Sequence, residues 1–197
     1  PNGVDTDFFR PPAQRPAGPF TFLFVGRFQP QKNLPVVINA FADAFAGTDV
    51  RLRLVGDGPQ RSELEELVQR RGVQSQVVFV PWLDKLGLLH EYQSAHCLIN
   101  YSLYEGMPNV VLEAMACGLP AILSDIMGHE ELGGASTAAQ LVSCDDVAGL
   151  NSAMKVMTSA ATAIQSRATT SASHDVSWTE VTGKLLHDMQ DQAHTAA

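Results

Sequence analysis

Short runs of apolar residues alternate with amphipathic stretches along most of the chain. The first run, "FTFLFV", stops at Gly26 and has the length of a single strand. Strands are predicted at 20–25, 50–56, 76–82, 96–100, 118–125 and 138–143. Apolar residues at helical spacing predict helices at 33–45, 60–72, 84–95, 108–117 and 146–160.

This regular alternation of strands and helices predicts an α/β fold. The strands are continuously apolar, as expected where both faces of a parallel sheet are covered by helices. A Rossmann-like parallel sheet with helices on both faces is therefore the predicted architecture. In such a sheet, ligands bind beyond the carboxyl ends of the strands, near a switch in strand order.

The two ends of the chain differ in composition from its middle. Residues 1–19 carry prolines at 1, 11, 12, 16 and 19 with no apolar period, which predicts a linker. Residues 20–165 form the predicted ligand-binding domain, and 166–197 form a tail with an amphipathic helix at 176–190. One stripe of that helix holds Trp178, Val181, Leu185 and Met189. It packs either on its own domain or on a partner domain.

Composition narrows the class of protein. The chain has 197 residues, of which 45% are hydrophobic, and a formal net charge of −8. This acidity disfavours nucleic acid and anionic membrane surfaces as partners. No apolar run approaches the ~20 residues that span a bilayer, so no membrane span is predicted.

Cysteine and histidine spacing gives no sign of a metal site. Cys97, Cys117 and Cys144 are odd in number and widely spaced, which predicts reduced thiols in a cytoplasmic protein. The Asp-Thr-Asp at 5–7 spells a metal-binding triplet, but it lies in the proline-rich segment with no strand before it. We interpret it as chance and predict no metal.

The stretch "EGMPNVVLE" places two carboxylates around a helix start. Pro108 suits a first helical turn, and the free N–H groups there form an anion site. Glu105 lies at its mouth, and Glu113, one turn further in, could accept hydrogen bonds from the paired hydroxyls of a ribose. From spacing alone, a capped helix start with an exposed Glu113 is the slightly better account.

A second loop favours a ligand site over a simple capped helix start. Gly26 and Arg27 directly follow the first strand, and Lys32 comes five residues after Arg27. Two cations in such a loop can clamp a diphosphate through charge-assisted hydrogen bonds, although a solvated loop would show the same spacing. Only the two loops together, on one rim of one sheet, favour a nucleotide diphosphate.

Several motifs in their order resemble one family. "PNGVDTDFF", "FVGRFQPQKN", "LVGDGP", "EGMPNVVLEAMACGLPAILSD" and "SWTEV" occur at 1–9, 24–33, 54–59, 105–125 and 177–181. Together they are similar to the C-terminal, nucleotide-sugar-binding half of GT-B glycosyltransferases of group 1 (family 4). The resemblance covers about residues 1–190, and the glutamates at E-x7-E spacing are its most specific part.

The resemblance implies roles for individual residues. Arg27 and Lys32 match the basic pair that stabilises the departing diphosphate, and Glu105 matches a glutamate near the transferred sugar. Glu113 matches the glutamate that binds the ribose hydroxyls. Loop residues that match donor contacts are Gly26, Pro81, Trp82, Gly106, Met107 and Asn109.

Some positions depart from the family pattern. The family often has Phe-Gly where this chain has Met107-Pro108, which removes one backbone donor to the sugar. Its later Gly-Gly is here Gly128-His129, followed by Glu130 and Glu131. Which of these glutamates takes the family role stays open.

The implied function is donor binding in a retaining glycosyltransferase. It takes a UDP-, GDP- or ADP-sugar as substrate and no further cofactor. The acceptor, a glycan or lipid-linked glycan of polysaccharide or lipopolysaccharide synthesis, binds through an N-terminal domain outside this chain. We therefore expect this chain to bind nucleotide without transferring sugar. The full protein is expected in the cytoplasm, where it could sit at the inner face of the membrane.

Three other functions are alternatives to donor binding in a glycosyltransferase. A nicotinamide-dependent oxidoreductase would need the G-x-G-x-x-G fingerprint, whereas "GDGP" offers only G-x-G and reads better as a tight turn. A sugar-nucleotide epimerase on the same fold would lack the donor-loop pattern. A non-catalytic nucleotide-binding module stays open, because it would keep the same binding residues.

Overall fold

The protein is described from a computed structural model. The structure describes residues 4–14, 17–106, 108–129 and 139–168, with only the backbone considered for 161–168. The predicted helix at 176–190, Met107, Glu130 and Glu131 lie outside the described residues.

Six strands form one sheet in which every pair is parallel. They are β1 Thr21–Val25, β2 Arg51–Val55, β3 Val77–Val80, β4 Cys97–Asn100, β5 Ala121–Ser124 and β6 Ala139–Val142. The order across the sheet is β3-β2-β1-β4-β5-β6. The predicted parallel, Rossmann-like sheet is confirmed, and strand order reverses between β1 and β4.

Among the described residues, the α-helices whose bounds are complete connect the strands or follow them. They are α1 Leu34–Phe45, α2 Arg61–Arg70, α3 Lys85–Ser94, α4 Asn109–Ala116 and α5 Val147–Ala168. A short 3-10 helix, Pro30–Lys32, precedes α1. Gly72 and Gly118 follow α2 and α4 with φ of 69° and 65°, the left-handed conformation that lets a glycine end a helix.

Two of the predicted helix boundaries were wrong. Pro108 occupies the N-cap of α4 rather than its first turn, with an extended φ of −77° and ψ of 113°. Helix α5 runs on to Ala168, beyond the predicted end at 160. Its last two turns are rich in alanine, the strongest helix former, so small residues there extend the helix.

Alternate residues of β1 divide the core between the two faces of the sheet. Phe22 and Phe24 join a cluster that includes residues of α1, α2 and α5. Leu23 and Val25 join a second cluster with residues of α3 and α4. The predicted helices on both faces are thus confirmed, and burial on both sides explains why a central strand such as β1 is almost continuously apolar.

The proline-rich N-terminal segment lies against α3. Phe9 is buried among the second cluster, and its ring meets that of Tyr92 edge-on at 5.9 Å. Gln93 Nε2 also donates to the carbonyl of Arg10 at 2.9 Å. The proline-rich segment has no apolar period, so the sequence did not predict that Phe9 alone would pack into the core.

Two further observations concern the described part of the chain. Cys97, Cys117 and Cys144 are all free, as predicted. Over the described ranges no helix has the length and apolarity needed to cross a membrane.

Candidate functional site

The loops that follow β1 and β4 lie side by side. Because strand order reverses between these two strands, their carboxyl ends flank the crevice where ligands bind in open α/β sheets. The first loop carries Gly26, Arg27 and Lys32, and the second carries Glu105 and Gly106. The structure thus brings together the two loops that the sequence indicated.

A nearly buried ion pair joins the two loops. Lys32 Nζ contacts Glu105 Oε1, and the two side chains are only 14% and 9% exposed. Gln31 reinforces the contact, because its Nε2 donates to the carbonyl of Tyr104 at 2.6 Å and its own carbonyl accepts from the N–H of Leu103 at 2.8 Å. The family resemblance implied separate ligand contacts for Lys32 and Glu105, whereas the structure pairs them with each other.

Ser102 supports the carboxylate of Glu105 from below. Its Oγ lies 2.8 Å from Glu105 Oε1 and 2.7 Å from the amide of Asn100. A hydroxyl has one proton, and an ionised carboxylate can only accept. Ser102 therefore donates to Glu105, and the Asn100 amide must turn its NH₂ toward Ser102. Glu105 is fixed from two sides before any ligand arrives.

Arg27 differs from Lys32 in that its side chain is exposed. Within the described residues, no hydrogen bond or ion pair engages its guanidinium. A guanidinium is a planar fork of donors that matches phosphate oxygens. Arg27 can therefore turn toward an anion at this rim without breaking an existing contact.

The N-terminus of α4 also offers donors at the rim. No side chain caps it, and its N-cap is Pro108, which has no N–H. The N–H groups of Val111 and Leu112 return to the carbonyl of Pro108. Those of Asn109 and Val110 have no acceptor among the residues described here. These two donors, at the positive end of the helix, suit an anion.

Glu113 is half-buried on α4 and is held by a tyrosine. Tyr92 Oη donates to Glu113 Oε2 at 2.9 Å, and the ring of Tyr92 is fully buried. Burial, and after it the Glu113 carboxylate, raises the pKa of Tyr92 well above its usual value. The phenol therefore stays protonated and remains a donor. The alternative of an exposed, unattached Glu113 is wrong.

The remaining predicted residues lie further from the two loops or at their open edge. Pro81 and Trp82 follow β3, the edge strand, and Trp82 is 57% exposed. Gly106 and Asn109 are exposed, and a Cβ added to Gly106 would meet nothing within 4 Å. Donor contacts by these residues remain predictions.

Gly128 brings the loop after β5 against the same site. A Cβ at this position would lie 2.1 Å from the carbonyl oxygen of Gly106 and 2.6 Å from that of Glu105. Only a glycine permits this approach. The sequence offered one signal for it, the Gly-His pair just after a strand, but that pair alone could not indicate which loop it touches.

His129, which follows, is a buried polar residue whose burial the sequence did not indicate. Its Nδ1 donates to the carbonyl of Ser124 at 2.9 Å, and Ser124 Oγ donates to the carbonyl of Ser102 at 2.6 Å. Its Nε2 finds no partner among the described residues. Burial lowers the pKa of His129, against the raising effects of the Ser124 carbonyl and the Glu105 carboxylate, while Lys32 lowers it slightly.

We expect His129 to make the chain less stable in mild acid. The pKa of His129 in the folded state lies below the ordinary value of about 6.5. As the pH falls below that value, the histidine of the unfolded chain is therefore protonated before the buried histidine of the folded chain. The full stability is present above that value and is lost as the pH falls below it. His129→Asn, which keeps a donor toward Ser124, should flatten the fall in melting temperature between about pH 7.5 and 5.5.

The exposed His90 provides the control for this measurement. His90→Asn makes the same substitution at an exposed position and is measured beside His129→Asn. Equal slopes for His129→Asn and the unaltered chain would show that His129 does not contribute.

Both a protein family and curated proteins match this chain in sequence. The sequence profile of the family described as "Glycosyl transferases group 1" matches residues 5–159. The lipopolysaccharide core biosynthesis glycosyltransferase LpsD of Rhizobium meliloti is 31% identical over 143 residues, which cover 72% of this chain and 40% of LpsD. The first eight curated relatives are matched over only 24–40% of their own length.

Solved structures share the fold. The C-terminal domain of a glycosyl transferase group 1 family protein, LpcC, from Francisella tularensis superposes with a TM-score of 0.73 at 19% identity, covering 98% of each chain. HepE of Anabaena, solved in complex with UDP and glucose, superposes with a TM-score of 0.71 at 20% identity, covering 99% of this chain and 55% of HepE. At these identities the likeness concerns the fold, whose neighbours are GT-B glycosyltransferases.

Proposed function

The chain belongs to the group 1 glycosyltransferases, and from that premise we propose that it binds the nucleotide-sugar donor of a retaining enzyme. The observation that carries the proposal is the exposed Arg27, whose guanidinium no described residue engages, beside Lys32 and the free N–H groups of α4. These positive groups lie on the loops that follow β1 and β4, whose carboxyl ends flank the crevice. A diphosphate fits that charge, and HepE, which has the same fold, was solved with UDP.

Each part of the site has a role in this proposal. Arg27 and the helix N-terminus bind the diphosphate, and Lys32 contributes its charge from a position fixed by Glu105. Glu113 accepts the ribose hydroxyls. Glu105, held on one oxygen by Lys32 and Ser102, has its other oxygen for a hydroxyl of the sugar.

The reaction follows from the charge. The bond between the anomeric carbon and the phosphate oxygen breaks, the electron pair leaves with the diphosphate, and the acceptor oxygen bonds to the same carbon. Positive groups that wait where negative charge develops lower the barrier to this step. The departing phosphate takes the proton from the acceptor hydroxyl, on the face that the donor leaves, so the anomeric configuration is retained.

The acceptor side of the reaction needs more protein than this chain. Because curated relatives are about two and a half to four times as long as the matched part, we propose that their remaining length supplies the acceptor site. The chain alone then binds donor without transferring it. The likeness to LpsD supports an acceptor in lipopolysaccharide synthesis, and we propose that the full protein acts on the cytoplasmic side of the membrane.

Saturation-transfer NMR with a UDP-, a GDP- and an ADP-sugar, together with an assay for released diphosphate, tests the proposal. We expect one donor to receive saturation at its base and ribose protons, with no turnover near the usual 1–10³ s⁻¹, about the range of enzymes. Arg27→Ala should weaken the saturation, because the diphosphate loses its guanidinium partner. Arg27 is exposed, so its loss leaves the fold intact. Saturation of no donor would overturn donor binding, and turnover at an ordinary rate would overturn the inactivity of the chain.

A further inference from the structure

A fully buried tyrosine touches the carboxylate that the proposed function assigns to ribose. Tyr92 on α3 is 0% exposed, and its Oη lies 2.9 Å from Glu113 Oε2 on α4. Nothing in the sequence joined these two residues, which lie on different helices. The hydrogen bond is therefore a tertiary contact between the helix that begins at the rim and its neighbour.

Packing gives the phenol a fixed place. The ring of Tyr92 lies in the core cluster that also contains Leu23 and Val111, and Phe9 meets it edge-on at 5.9 Å. A ring held on all sides cannot follow a moving partner. The flexible glutamate must therefore adopt the rotamer that reaches the phenol.

The N-terminal segment packs on α3 beside Tyr92. Asp5 forms an ion pair with Lys85 at 3.0 Å, and Lys85 Nζ stands 4.2 Å from the ring centroid of Phe8. These contacts fasten the segment to the first turn of α3 and keep Phe9 against Tyr92. The Asp-Thr-Asp triplet thus supplies an anchor for the segment through Asp5.

We propose that Tyr92 is a positioning residue, which holds the Glu113 carboxylate in the orientation that accepts the 2′- and 3′-hydroxyls of the nucleotide ribose. This inference rests on the proposed function, which assigns ribose to Glu113. A carboxylate has two oxygens with about four acceptor sites. Tyr92 occupies one site on Oε2 and leaves the rest for a pair of hydroxyls.

The ribose hydroxyls themselves provide the test. The nucleoside diphosphate that binds the unaltered chain best, of UDP, GDP and ADP, is compared by calorimetry with its 2′,3′-dideoxy counterpart. We expect Tyr92→Phe to weaken the ribose form about tenfold, the loss typical of a hydrogen bond to a charged group. The dideoxy form should bind both chains equally, so the preference for ribose shrinks. Glu113→Gln should shrink it as well, and Tyr92→Phe should add little to that variant.

Tyr101→Phe is the matched control. Tyr101 is also fully buried, and its hydroxyl donates to the carbonyl of Ser143 rather than to a carboxylate. Tyr101→Phe should leave the preference for the ribose form over the dideoxy form unchanged. Undiminished binding of the dideoxy form also shows that Tyr92→Phe is folded.

The remaining outcomes separate the two proposals. If the ribose preference of Tyr92→Phe equals that of the unaltered chain, Tyr92 does not position Glu113, while donor binding stands. If Tyr92→Phe loses both ligands equally, its role is structural and the inference is overturned. If no nucleoside diphosphate binds the unaltered chain, the proposed function fails, and the role of Tyr92 fails with it.

Discussion

Replacing Lys32 by methionine should lower the free energy of unfolding by about 3 kcal/mol, the range found when one partner of a buried ion pair is removed. The side chains of Lys32 and Glu105 are only 14% and 9% exposed, so water cannot solvate the Glu105 carboxylate once the ammonium group is gone. The Glu105 carboxylate would keep only Ser102 and a long contact of 3.4 Å to Gln31 Nε2. Urea denaturation of the two chains measures the difference.

A double-mutant cycle isolates the contribution of the pair. Adding Glu105→Gln to Lys32→Met removes the uncompensated charge while an amide oxygen still accepts from Ser102. The double variant should therefore be more stable than Lys32→Met alone. Lys85→Met, which breaks an ion pair whose two side chains are each 53% exposed, should cost at most about 1 kcal/mol. Equal costs for Lys32→Met and Lys85→Met would show that burial adds nothing at the site.

Replacing Gly56 by alanine should cost a similar amount for a steric reason. Gly56 directly follows β2 with φ of 135°, and a Cβ there would lie 2.0 Å from the carbonyl oxygen of Gly26. The left-handed backbone costs about 1–2 kcal/mol in an alanine, and forced overlap adds about 1–3 kcal/mol. We expect a total near 3 kcal/mol. The clash also pushes Gly26 and Arg27 outward, so nucleotide affinity should fall as well.

Gly47→Ala separates the two causes. Gly47 also has a positive φ, 80°, but an added Cβ would meet nothing within 4 Å. It should therefore cost only the backbone part, about 1 kcal/mol. Differential scanning calorimetry would show the difference as several degrees in melting temperature, because each kcal/mol shifts a domain of this size by about 2–4 °C. Equal shifts for the two variants would mean that the turns after β1 and β2 do not need their close approach.

The sequence was sufficient for the fold because the decisive signals are local. Most strands are short apolar runs, as in β1 and β3, and helices such as α1 and α2 have an apolar stripe. Gly118 in the left-handed region at the end of α4 is one example where the residue type decides the conformation. The end of α5 was missed because small residues predict neither a helix face nor a break.

The residues of the candidate site also divide into those that local sequence signals indicate and those that only the folded structure brings together. Arg27, Glu105 and Glu113 could be found because they follow strands or begin a helix at a set spacing. Their partners could not, because pairs such as Lys32 with Glu105 and Tyr92 with Glu113 form only when separate loops and helices meet. Phe9 was missed for a related reason: a single anchoring side chain leaves no period in the sequence.

Binding of a nucleoside diphosphate through Arg27 is the central claim, and calorimetric titration tests it most directly. UDP, GDP and ADP are each titrated into the unaltered chain and into Arg27→Ala. The account predicts that one of them binds the unaltered chain, and that its affinity falls at least tenfold in Arg27→Ala, which is about 1.4 kcal/mol. Equal binding to both chains, or no binding to either, would contradict it.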